Sequence, residues 1–203
     1  MFRYLAAPVA ALSLAAAPAA AQDFSRIHLE TFEAVCLVND ASPDKAIAAA
    51  RGRGWLSAPQ EMVDGYRAEG GVETNILINL QGADLEKLFN DPALAVFFIG
   101  EGSKEMFGGI SGDYCGLMPR SGDEDAFRLG LTKWIGAEPA AEGESGPFWA
   151  YTIVAGERAP VTDAVEDMTD EEFIALMRAR PHYFVGMMEG IGAPALFMVR
   201  PIP

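Results

Sequence analysis

The sequence predicts an α+β fold: N-terminal helices packed on a mainly antiparallel sheet in a single domain. Helical periodicity and helix-cap signals crowd the stretch from Ser25 to Tyr66, which makes the chain helical early. After Gly70 and Gly71 the apolar period drops to two, and strand-like runs follow one another across short turns, as antiparallel hairpins require and parallel crossovers do not. A chain of 203 residues also fits one domain and can bury its own core.

The first residues, MFRYLAAPVAALSLAAAPAAAQD, combine a basic start at Arg3, an apolar stretch from Leu5 to Ala17 and the small-residue site Ala19-Ala20-Ala21. This is the pattern of a secretory signal peptide over residues 1–21, leaving 22–203 as the mature domain. The stretch is too rich in alanine, and too interrupted by Pro8 and Pro18, to resemble the apolar run of about 20 residues that spans a bilayer. A periplasmic or secreted protein with no membrane span after cleavage is expected. The formal net charge is −14, and losing Arg3 with the signal makes it −15. So acidic a surface opposes phosphate backbones and anionic lipid, and nucleic acid is not an expected partner.

Leu29, Phe32 and Cys36 recur at helical spacing between Ser25 and Leu37, so the first helix should turn Cys36 inward and leave His28 in solvent. The segment SPDKAIAAARGRGW carries Ser42 as N-cap, Pro43 at the first position, Asp44 in the first turn, and Gly52 or Gly54 as the stop. Ser57 and Gln60 are spaced as a capping box for a short third helix. In VETNILINL, Val72, Ile76, Ile78 and Leu80 mark one buried face of a strand. A small helix at Ala83–Phe89, a strand at ALAVFFIG and a strand holding Cys115 that ends at Pro119 follow. Phe127, Leu131 and Trp134 define one face of a helix closed by Gly136. EPAAEGESGP is a surface loop, FWAYTIVAG with RAPVTDAV a hairpin, and TDEEFIALMRAR a helix boxed by Thr169 and Glu172. HYFVGMME with ALFMVRP forms the last hairpin.

Export places Cys36 and Cys115 in an oxidising compartment, and two cysteines admit one pairing. A nucleophilic thiol instead needs a base and an electropositive setting, whereas Cys36 lies among apolar neighbours and Cys115 follows Asp113. A structural disulfide is therefore expected.

Other motifs fail on context. GIGAPA, Gly190–Ala195, satisfies the dinucleotide pattern G-x-G-x-x-A, yet Pro194 and a strand follow where a helix is needed, so it is expected to be a hairpin turn. GGISG around Ser111 departs from the nucleophile elbow at Asp113. The acidic run from Asp163 to Glu172 offers carboxylates to calcium without the spacing of a calcium loop. No closely spaced Cys/His set exists, and no metal or cofactor is predicted. Tyr183, Phe184, Met187, Met188, Phe197 and Met198 make the last hairpin soft and aromatic, and the members that alternation turns outward form the candidate surface for a partner or ligand.

At FEAVC, DKAIAAARGRGW and DYCGLMPRSGDEDAF the chain resembles small exported proteobacterial proteins with no assigned function, over roughly Phe24 to Ile135. The resemblance implies an envelope location and the Cys36–Cys115 pairing, and carries over no catalytic residue. The expectation is a non-enzymatic exported module, stabilised by one disulfide, that binds an envelope protein or a small apolar ligand. The alternative is a hydrolase using Ser111 or a free cysteine with His182.

Overall fold

The computed structural model describes residues 19–68, 74–80, 90–102, 111–143, 146–161 and 169–202. The expected helix at Ala83–Phe89 lies outside these, as does most of the acidic run. Helix α1 spans Ala19–Phe32, across the expected cleavage point, and continues as a π-helical turn at Glu33–Leu37. Helices α2 (Pro43–Gly52), α3 (Gln60–Ala68), α4 (Glu124–Ile135) and α5 (Asp170–Ala179) follow.

The strands are β1 (Leu56–Ser57), β2 (Asn75–Ile78), β3 (Ala95–Gly102), β4 (Ser111–Pro119), β5 (Ala141–Gly143), β6 (Gly146–Val154), β7 (Glu157–Pro160), β8 (His182–Met188) and β9 (Ala195–Ile202). They form one sheet in the order β1-β2-β3-β4-β9-β8-β6-β5, with β7 also on β6. Every pairing is antiparallel, so the α+β architecture expected from the strand runs is the observed one. The C-terminal strand β9 sits in the middle, between β4 and β8.

Strand alternation sorts the side chains. Leu77, Phe97, Ile99, Cys115, Leu117, Met198, Val185, Trp149 and Tyr151 share the face packed against Phe32, Val35, Cys36, Ala46, Ala50, Phe127 and Leu131 of the helices. On the opposite face α3 lays Met62, Val63 and Tyr66 over Ile76, Ile78, Val96 and Phe98. Because both faces are covered there, β2 buries Leu77 as well as Ile76 and Ile78, and the one-sided period expected from the sequence is lost.

The cap signals mostly hold. Asp123 accepts from the Ala126 amide at 2.9 Å and Gly136 closes α4 in the left-handed region, while Thr169 and Glu172 form the capping box of α5. Helix α2 starts at Pro43 and ends at Gly52, with Gly54 supplying the positive φ. The Ser57–Gln60 box does not form: Ser57 is drawn into β1 opposite Leu77, and α3 begins after Pro59, whose carbonyl accepts from Met62 and Val63. The EPAAEGESGP segment is more ordered than a loop, since Ala141–Gly143 pairs with the start of β6.

Cys36 and Cys115 are bonded, with Cα atoms 5.5 Å apart and both side chains wholly buried. The π turn makes this reach possible, because its wider ring turns Val35, Cys36 and Leu37 inward in succession. The bridge ties the end of the first helix to the centre of the sheet.

Candidate functional site

The six aromatic and methionine residues of the last hairpin divide between two faces. Tyr183, Met187 and Met198 lie on the helix-covered face and belong to the core. Phe184 and Phe197 are half-buried on the opposite face, and Met188, 41% exposed at the end of β8, is the most open of the six. A Cβ on Gly186 would come within 2.4 Å of the Phe197 ring, so that ring lies across the bare backbone of the neighbouring strand. The expected surface is therefore not one patch, because period-two alternation sends its members both ways.

Two of the six do meet in a cavity. At the end of the sheet, Met187 and Met188 wall an open cleft of about 480 Å³ with Pro147 of β6, the β8–β9 connection and Glu124 at the start of α4. Its apolar lining comes from Met187, Met188, Pro147, Ala193 and Pro194, and its charged groups are Glu124 and Glu189. The loop Gly190–Pro194 is the GIGAPA segment without its last alanine, which starts β9, and it is a hairpin connection between β8 and β9 as the following strand required. The guanidinium of Arg120 donates to the Ile191 carbonyl of this loop at 3.3 Å. The sequence pointed to the methionines, with Glu189 beside them, but not to Glu124 or Pro147, which arrive from two other segments.

The chain matches no protein-family model, no curated protein and no solved structure.

The hydrolase constellation is not assembled. Ser111 shares a face of the sheet with Asp113 and Cys115, whereas His182 shares the other with Phe184 and Gly186, so the two side chains project from opposite sides. His182 is 1% exposed, and its Nδ1–H donates to the Arg180 carbonyl at 2.8 Å. Burial lowers its pKa, and the Nε2 atom has no partner among the described residues. No free cysteine exists to replace the serine. His28 is not in solvent as expected but 3% exposed, stacked near Phe24 with ring centroids 6.1 Å apart, and burial lowers its pKa to about 4.

A second cluster joins Tyr151, stacked on Tyr183 at 4.9 Å and edge-on to Trp134 at 5.6 Å, with Arg158 lying 3.7 Å over the Trp134 ring. Burial, and behind it the Asp40 carboxylate, raises the pKa of both tyrosines. Arg200 pairs with the buried Asp113 on the same face. Both tyrosines are buried in the core, while Trp134 reaches a shallow groove between α1 and α4. Among the described residues no group of three His, Cys, Asp or Glu side chains is placed to hold a metal, and no helix is long and apolar enough to cross a membrane.

Proposed function

We propose that this protein is a non-enzymatic binding module of the cell envelope, and that it holds a small ligand with an apolar body in the cleft at the tip of the last hairpin. The observation that carries this reading is the cleft itself. Its about 480 Å³ falls within the range of small-ligand sites, and methionine, proline and alanine line it without a serine, cysteine, histidine or lysine for nucleophilic catalysis. Methionines adapt to irregular apolar shapes, which suits a site that binds rather than transforms. The envelope location is supported by the signal pattern of residues 1–21, by the disulfide and by the resemblance to small exported proteobacterial proteins.

Fluorescence titration of the purified protein with dansylamide, a small neutral apolar probe, tests the reading. Saturable, blue-shifted emission is expected, and Met188→Asp should weaken it at least fivefold without changing the melting temperature by more than a few degrees, because Met188 is exposed at the last position of β8. Absence of saturable binding by dansylamide and by its charged analogues, or equal binding by the variant, overturns the proposal.

A further inference from the structure

We infer that the ligand of this cleft is a small amphipathic cation, an apolar body bearing one protonated amine. The inference rests on the binding role proposed above and adds the charge that the site selects. Both ionisable residues lining the cleft, Glu124 and Glu189, are acids, and no lining residue is basic. Both are exposed at its rim, so an ammonium group can reach them while the rest of the ligand contacts the methionine and proline wall.

Among the described residues neither carboxylate forms an ion pair. Among the described residues the ion pairs are Arg26 with Glu30, Arg128 with Glu142, and Arg200 with Asp113. Two arginines lie near enough to compete and are otherwise engaged. Arg128, one turn along α4, feels the Glu124 charge, but both ends of its fork are held by Glu142. Arg120 is not among the lining residues and donates to the Ile191 carbonyl. Asp123 and Asp125 flank Glu124 in sequence, and the whole chain carries −14, so the surrounding field adds to the rim rather than cancelling it. An anion would meet two carboxylates that have no ion-pair partner among the described residues, and a cation gains from them an attraction between opposite charges that a neutral ligand does not.

Three dansyl probes with one fluorophore and different charges test this. Dansylcadaverine, which carries an ammonium group, is expected to bind at least tenfold more tightly than neutral dansylamide, and dansylglycine, an anion, more weakly than either. Glu124→Gln with Glu189→Gln should bring the cationic and neutral probes to within twofold of each other. The advantage of the cation in the wild type should shrink as salt is raised from 20 to 500 mM. Saturable dansylamide binding with no preference for the cation, or a preference that survives the double substitution, overturns the cationic ligand and leaves the binding reading standing. If none of the three probes binds, both fall.

Discussion

At the scale of single residues the least expected placement is His28. The sequence shows an apolar stripe through Leu29, Phe32 and Cys36, but the face that the helix buries runs back from Val35 and Phe32 to His28 and Ser25. A polar serine and histidine disguised the continuation. Ser25 is there because its hydroxyl oxygen accepts the Asp123 amide at 2.7 Å, which docks α1 on the start of α4. His28 has no comparable reward, since its Nε2 lacks a partner among the described residues. Its pKa is lowered from 6.5 to about 4 by burial, so below pH 6.5 the unfolded chain takes up a proton that the folded one resists. Stability contributed by the neutral ring is complete above pH 6.5 and is lost progressively as pH falls toward 4. The loss between pH 7 and 4 is about 2–3 kcal/mol from this residue. Urea unfolding of wild type and His28→Gln from pH 7 to 4 separates it from the titrating carboxylates: the difference between the two proteins should shift in favour of the variant by that amount. A pH-independent difference would mean that the ring takes up its proton as readily in the fold as in the unfolded chain.

At the scale of elements, what the sequence made legible were features with local causes. Gly136 closes α4, Thr169 and Glu172 open α5, and Pro43 with Gly54 frames α2, because caps satisfy backbone groups within a few residues. What escaped were features decided by distant partners. Ser57 was lost to a strand because Leu77 offered it a partner, and β5 formed in a Pro/Gly/Glu-rich stretch because β6 had an edge to fill. The last hairpin is a mixed case: its strands were plain from alternation, but the cleft at its tip depends on Glu124 and Pro147, brought from elsewhere. One element is locally imperfect. The β6–β7 turn pairs Val154 with Glu157 across Ala155 and Gly156, both at positive φ, which is a type I′ hairpin geometry. Gly156 suits it and Ala155, at φ 54°, does not. Ala155→Asn, which tolerates the left-handed region, should stabilise the protein by about 0.5–1 kcal/mol, read as a rise in urea midpoint at unchanged slope. A neutral or lowered midpoint would show that the turn has another geometry in solution.

At the scale of the whole molecule, the chain must bring its last strand into the middle of a sheet whose other strands were made before it, so β4 and β8 find their partner only when β9 arrives. Such non-local pairing carries a large loop-closure cost, and the disulfide bears on it directly. Cys36 and Cys115 are 79 residues apart, and they join α1 to β4, the strand against which β9 pairs. In the loop-entropy account a bridge of this span stabilises the fold by about 4.5 kcal/mol, against the ~5–15 kcal/mol typical of a domain. Both sulfurs are wholly buried, so a reductant added to the native protein has no access to them. The measurement is therefore made on Cys36→Ala with Cys115→Ala, followed by the fluorescence of Trp55, Trp134 and Trp149. Its unfolding free energy should lie about 4 kcal/mol or more below that of the oxidised wild type, with the two lost sulfur contacts adding to the entropic part. The wild type in native buffer with mild reductant should keep its full stability over the same period. A double variant within about 1 kcal/mol of wild type would mean that the helices and sheet hold their relation through packing alone, and that the bridge contributes nothing the core does not already provide.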